Sequence, residues 1–214
     1  MRKIIYILLL GFPFYSLKAQ YVEPEKAEKE AQKLKATQVI TYPTLKFDSL
    51  EVKKALALGK GKITGVAFTR VKNGYGMKTG QKVLANKIKI QVYAVTPYFQ
   101  EFYDLWKDKS KNNPKKNRYV YMDKNAYKYR LEAVSNSSGE FTFPDMKPGR
   151  YYLWATLDYY RTYNYEKYTG SGYSTSGNRV DYYSPSAYNK NFSDFLELFV
   201  DVKTDGEVVV VKLK

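Results

Sequence analysis

The chain has 214 residues, enough for one domain with extensions, and carries a formal net charge of +15. It contains no cysteine and no histidine. That excludes disulfide staples, anchoring through an N-terminal lipidated cysteine, imidazole metal sites, and the Ser-His-Asp and Cys-His arrangements of nucleophilic catalysis.

At the N-terminus, Arg2 and Lys3 precede the apolar run Ile4 to Leu10, and Pro13 and the small residue Ala19 follow. This is the pattern of a cleaved export signal over residues 1–19, and its apolar stretch is too short to span a bilayer. It sets the expected address as the periplasm, the outer membrane or the cell surface, with the protein not itself integral to the membrane. Strong basicity at that address points to an envelope protein complex or an anionic polysaccharide as partner, and not to nucleic acid. Coding bias toward Lys, Tyr and Asn explains the charge equally well.

Residues 20–59 form the expected N-terminal helical extension. The stretch from Pro24 to Lys35 places proline at the first helical position and glutamates in the first turn, with only Ala27, Ala31 and Leu34 as an apolar stripe. Thr41 to Leu45 is expected to be extended. Asp48 or Ser49 then caps a helix running to about Leu58 and ending at Gly59, with Glu51 in capping-box register.

Lys62 to Phe68 is the first sandwich strand, and Val71 to Gly80, with three glycines, is expected as a loop. No phosphate-binding GxxxxGK[ST] occurs there. Lys87 to Ala94 alternates cleanly, with Ile88, Ile90, Val92 and Ala94 turned inward. The first insertion, residues 96–126, opens with Phe99, Phe102, Tyr103 and Trp106 at near-helical spacing, which predicts a short amphipathic helix. The basic, turn-rich stretch Lys107 to Arg118 follows, with Lys115 and Lys116 inside it. Trp106 and Lys107, Lys115, Lys116 and Arg118 together make an aromatic patch beside a basic loop, a candidate surface for an anionic ligand. The alternative is that the rings cap one end of the sandwich and the lysines are merely solvated.

Tyr127 to Ala133 alternates again and is expected as a strand. The chain is organised around the stretch after it, NSSGEFTFPDMKPGRYYLWATL, from Asn136 to Leu157. Phe141 and Phe143 alternate with Glu140 and Thr142, Pro144 and Asp145 stop that strand, and Lys147-Pro148-Gly149 supplies a tight turn. Tyr151, Leu153, Ala155 and Leu157 then share one face, opposite Arg150, Tyr152, Trp154 and Thr156. The expected product is a hairpin-like strand pair.

The pattern Gly139-x-Phe141-x-Phe143-x-x-Met146-x-Pro148-Gly149-x-Tyr151-x-Leu153 resembles the carboxypeptidase regulatory-like family, and Ile63 to Val66 resembles that family's first strand. Where the family's motif opens on an Asp-containing turn, Asn136, Ser137 and Ser138 stand here. The resemblance covers about Gly61 to Leu213 and implies a small transthyretin-like (prealbumin-like) module, a non-catalytic accessory in very different proteins. The fold class is thus all-β: an Ig-like, prealbumin-like antiparallel β-sandwich of about seven strands over residues 60–214.

The second insertion, residues 159–191, is rich in Tyr, Ser, Gly and Asn with no helical period, and is expected as a long loop. Its tyrosines include Tyr160, Tyr163, Tyr165, Tyr168, Tyr173, Tyr182 and Tyr183, a composition suited to contact surfaces. They either bind a partner or sugar rings, or fold back over the sandwich. Leu196 to Val202 alternates, Thr204-Asp205-Gly206 predicts a hairpin turn, and apolar Val208 to Leu213 is expected as a central or covered strand.

For chemistry, Asp158, Asp181, Asp194 and Glu197 cluster near the second insertion, but no spacing pairs them for acid–base work. No DxDxDG calcium loop occurs and no cofactor motif is present. The expected function is a non-enzymatic exported binding or scaffold protein, an accessory subunit of an envelope assembly. The alternative is a carbohydrate-binding module for anionic polysaccharide that uses Tyr and Trp stacking.

Overall fold

The computed structural model describes residues 37–73 and 75–214, together with helical backbone at residues 24–26, 28–29 and 32. The expected export signal and half of the residues of the Pro24–Lys35 helix lie outside the described residues. Among those described, no helix is long and apolar enough to cross a membrane.

The fold is an all-β sandwich of two four-stranded sheets. The first joins β2 (Gly61–Lys72), β3 (Lys78–Leu84), β7 (Glu140–Met146) and β10 (Val208–Leu213). The second runs in the order β6 (Leu131–Val134), β4 (Lys89–Ala94), β8 (Gly149–Tyr173), β9 (Arg179–Val202), antiparallel throughout. A parallel pair of β1 (Val39–Thr41) and β5 (Arg118–Val120) stands apart from both.

Alternation supplies the core. Ile63, Ala67, Phe141, Phe143 and Leu213 from the first sheet meet Ile90, Val92, Tyr151, Leu153, Ala155, Leu157, Leu196 and Val200 from the second. Each large side chain buried there contributes roughly 1.5–3 kcal/mol. Tyr151 is 1% exposed, and its hydroxyl is satisfied by donating to the carbonyl of Lys147 (2.8 Å), with the Ala55 carbonyl also within reach (3.2 Å).

The motif strands are not a hairpin. β7 pairs with β2 in the first sheet and β8 with β4 and β9 in the second, so Lys147-Pro148 carries the chain from one layer to the other. Nor do Pro144 and Asp145 end β7. They form a bulge between the pairs Ile63–Phe143 and Gly61–Met146, where Asp145 has a φ of 57° and Gly149 has none of the positive φ expected of it.

The final strand also departs from expectation. The Asp205-Gly206 turn, with Gly206 at φ 86° and Asp205 accepting from the Lys60 amide (2.9 Å), sends the chain across to the other sheet. There β10 pairs parallel with β2 at a sheet edge, and Val208 and Val210 are exposed instead of covered. Half of the expected Val71–Gly80 loop is strand, as β2 runs to Lys72 and pairs antiparallel with β3, which starts at Lys78. Tyr127 is not in a strand: Ala126–Lys128 is a 3₁₀ turn, and the Tyr127 hydroxyl accepts from the Met122 amide (3.1 Å). Only Leu131–Val134 of that stretch pairs in the sheet.

Two helices start at the caps their sequences supply, although the first ends at Ala55, short of the expected Leu58. Ser49–Ala55 is capped by the Asp48 carboxylate, which accepts from the amides of Leu50 and Glu51. Pro97–Lys107 is capped by Thr96, whose hydroxyl accepts from the Phe99 amide. This longer helix lies on the outer face of the second sheet and makes a third layer. Phe99 packs on Tyr93 and Tyr152 with ring centroids 5.4 Å away, Tyr103 on Phe199 at 4.7 Å, and Trp106 on Phe195 at 5.3 Å. Edge and offset ring pairs of this kind add about 0.5–1.5 kcal/mol each beyond their buried area.

Gly139 sits at φ 76°, and a Cβ there would lie 2.5 Å from the Ala67 carbonyl oxygen. Gly76, at φ 82°, has open space around it. In denaturant unfolding, Gly76→Ala is expected to cost about 1 kcal/mol, the left-handed backbone term alone. Gly139→Ala is expected to cost at least about 3 kcal/mol, because backbone must move.

Candidate functional site

The second insertion is not a loop but a β-ribbon. β8 and β9 remain paired from Gly149–Val202 inside the sandwich to Tyr173–Arg179 at the far end. The turn is closed by the Ser174 amide donating to Asn178 O (2.8 Å) and by Gly177 at φ 82°. At about 3.3 Å per residue the ribbon reaches roughly 50 Å beyond the core. Tyr, Thr, Val and Ser form these strands because β-branched and aromatic side chains fit a pleated surface.

The registers assign every side chain to a face. The inner face of the ribbon continues the core face of the sheet, past Leu157 and Leu196, and carries successive rungs Tyr159–Phe192, Arg161–Lys190, Tyr163–Tyr188 and Tyr165–Ser186, then Lys167–Ser184. Tyr159 and Phe192 stack at 5.4 Å, and Tyr163 and Tyr188 at 5.5 Å. The Arg161 guanidinium lies 5.1 Å from the Tyr163 ring, and the Lys190 ammonium 5.6 Å from the Phe192 ring. Aromatic and cationic rungs thus alternate. A bulge between Tyr168 and Gly170 then places Tyr182 on the same face.

The outer face is different. It bears Tyr160, the crossed pair Tyr168–Tyr183 (5.8 Å), and Tyr173, with the charges Asp158, Glu166, Arg179 and Asp181. Arg179 is bonded to Asp181 at 2.9 Å. The charged residues of the inner face of the ribbon, Arg161, Lys167 and Lys190, are all cations, whereas the outer face is net acidic.

At the root of the ribbon, Asp194 is 6% exposed and points into the end of the core. It accepts from the Thr69 hydroxyl of β2 and pairs with Lys78 of β3 at 3.3 Å. Burial pushes this carboxyl up, but the Thr69 hydrogen bond and the Lys78 ammonium, with Lys72 nearby, outweigh it and hold the group below its ordinary value. Since β2 runs onward from Thr69 and β8 from Leu157, the β2–β3 tip and the long ribbon leave the sandwich at the same end, with Asp194 as the floor between them.

The expected aromatic-and-basic patch of the first insertion divides. Trp106 packs against Tyr103 and Phe195, so its ring is engaged in the third layer. Lys107 pairs with Glu197 and stands 4.8 Å from the Trp106 ring, while Tyr152 also donates to Glu197 at 2.6 Å. Burial and that carboxylate push the Tyr152 phenol up beyond the tyrosine range. Lys115 and Lys116 lie exposed in a 3₁₀ turn, and Arg118 donates to the Ser110 carbonyl at 2.9 Å. A cavity of about 160 Å³ remains between helix and sheet, walled by Tyr93, Phe99, Phe102, Trp106 and Trp154 among others, none of its lining residues charged. Among the described residues no cluster of acidic side chains has the grouping of a metal site.

Arg161, Lys190 and Lys167 were not singled out by the sequence reading, although Tyr159-x-Arg161-x-Tyr163-x-Tyr165 is a period-two signal. No family model matches the chain, and neither does any curated protein. Among solved structures, the chain is similar to that of a proposed carbohydrate-binding protein from Pseudomonas aeruginosa. The identity is 18% and the TM-score 0.46, with 78% of this chain and 98% of the other covered.

Because the folded-state pKa of Asp194 is depressed, its contribution to stability is present above the unfolded value and is lost as pH falls through the folded value. Asp194→Asn is expected to cost about 1–3 kcal/mol at pH 7. It should also make stability less steeply pH-dependent below pH ~4, read from urea unfolding at successive pH values.

Proposed function

We propose that the chain is an exported, non-enzymatic binding and scaffold protein, an accessory subunit of a bacterial envelope assembly, that engages a protein partner along the ribbon. The observation that carries this is the unpaired length of the ribbon. β9 is a sheet edge throughout, and β8 is paired on its other side only at Tyr151–Trp154, by β4. A two-stranded ribbon is marginal in water, and a long open edge is a template for another strand. Addition of a partner strand satisfies the edge and turns two strands into three. The resemblance to carboxypeptidase regulatory-like modules fits the accessory role, and the layer-crossing motif strands supply the scaffold.

The non-enzymatic half of the reading is supported by how three of the four carboxylates near the ribbon are used. Asp194 is held by Thr69 and Lys78, Glu197 by Tyr152 and Lys107, and Asp181 by Arg179. Each has a structural partner. Trp106 takes part in the helix packing through Tyr103 and Phe195, so the ribbon and not that ring carries the reading.

The test is affinity capture from gently solubilised native membranes, washed at high salt, with the full chain beside a variant in which residues 160–191 are replaced by a short turn. A stoichiometric protein held by the full chain and lost by the shortened one, with both equally stable to heat, is the expected outcome. Equal capture by both variants, or no protein surviving the wash, contradicts it.

A further inference from the structure

We infer that the inner face of the ribbon, with Lys72 near its root, is a binding site for a linear carboxylated polysaccharide. This goes beyond the edge contact proposed above, because it uses side chains of one face and leaves the backbone edges free.

Charge segregation is the first support. Along the ribbon the inner face presents Arg161, Lys167 and Lys190 with no acid among them, while Asp158, Glu166 and Asp181 all fall on the outer face. The inner acid at the root, Asp194, is neutralised by Lys78, and Lys72 stands close enough to act on it as well. A chain of negative charges laid from root toward tip therefore meets cations along its path and no unpaired carboxylate. From Arg161 to Lys167 the spacing is six residues, roughly 20 Å of ribbon, so the charge is arranged for a polymer and not for a single small anion.

The aromatic rungs decide which polymer. The Tyr163 ring is engaged by Tyr188 and by Arg161, and the Phe192 ring by Tyr159 and Lys190. Rings already stacked on each other are poor platforms for nucleobases, which need an open face. At and beside these stacked rungs the face presents phenols outward: Tyr165, Tyr182 and Tyr188 are about half exposed. Phenol groups donate and accept hydrogen bonds, which suits sugar hydroxyls, and guanidinium and ammonium groups suit carboxylates. Because Arg161 and Lys190 rest over rings, these two are held in place without being neutralised.

The experiment is a titration of the full-length mature protein with fluorescently labelled oligogalacturonate, with neutral dextran and oligothymidylate as the other arms, at low and physiological salt. Saturable binding of oligogalacturonate, weaker at higher salt and absent with dextran, is expected. Arg161→Gln with Lys190→Gln should weaken it at least about tenfold, the loss of one charge-assisted contact or more. Lys167→Gln, further from the core, repeats the test should the double variant fail to fold. Arg179→Gln, on the outer face, should leave affinity unchanged. Equal binding of dextran, an equal loss on Arg179→Gln, or tighter binding of oligothymidylate overturns the inference, the last in favour of a nucleic-acid surface.

Discussion

The constraint on which the rest of the structure depends is the pairing of β8 with β9, in one register from Gly149–Val202 to Tyr168–Tyr183. One end of this ladder is buried: Leu153 faces Leu198, and Ala155 faces Leu196, with both Leu153 and Leu196 at 0% exposure. A slip of one residue would turn those side chains to the wrong face and empty the core, so packing fixes the register there. Hydrogen bonding then carries that register outward into a region with no core of its own. The identity of the rung at Arg161 and Lys190 is thus set by Leu153 and Leu196, several rungs away. The exposed chemistry is organised by buried hydrocarbon.

Two further contacts close the sandwich around that ladder. At one end the Tyr151 hydroxyl donates to the Lys147 carbonyl at the turn between the layers, and at the other Thr69 and Lys78 hold Asp194. The layers are thereby tied at the point where the ribbon departs. On the outer face the Pro97–Lys107 helix covers Tyr93, Tyr152, Trp154 and Phe199 with rings of its own. The chain consequently spends one set of aromatic side chains on packing and displays another. Trp106 belongs to the first set, and Tyr165, Tyr182 and Tyr188 to the second.

Most of the sandwich was legible in the sequence, because period-two alternation reports directly on burial. Ile90, Val92 and Ala94, then Tyr151, Leu153, Ala155 and Leu157, and Leu196, Leu198, Val200 and Val202 all face the core as their spacing implies. What alternation does not report is the partner of a strand. Phe141–Phe143 and Tyr151–Leu157 read as neighbours, yet the intervening turn crosses between layers, and Val208–Leu213 leaves β9 for β2 in the same way. Such choices are made by the three-dimensional closure of the core, not by local propensity. The ribbon was missed for a different reason. Gly170, Gly172 and Pro185 interrupt its composition and suggest a loop, although Gly170 lies at a bulge that a two-stranded ribbon accommodates. For the site, the tyrosines were visible as a composition, but their division between faces required the register, and with it the cations that accompany them.

The most direct measurement of the central claim is a cross-link across the ribbon. The chain has no cysteine, so an introduced pair has no competitor. Tyr163→Cys with Tyr188→Cys places thiols on directly opposed residues, within the reach of a disulfide. Tyr163→Cys with Ala187→Cys places them on opposite faces. The account predicts that mild oxidation of the folded protein closes the first pair fully and the second hardly at all. Equal oxidation of both pairs, or of neither, would contradict a ribbon whose register is inherited from the core.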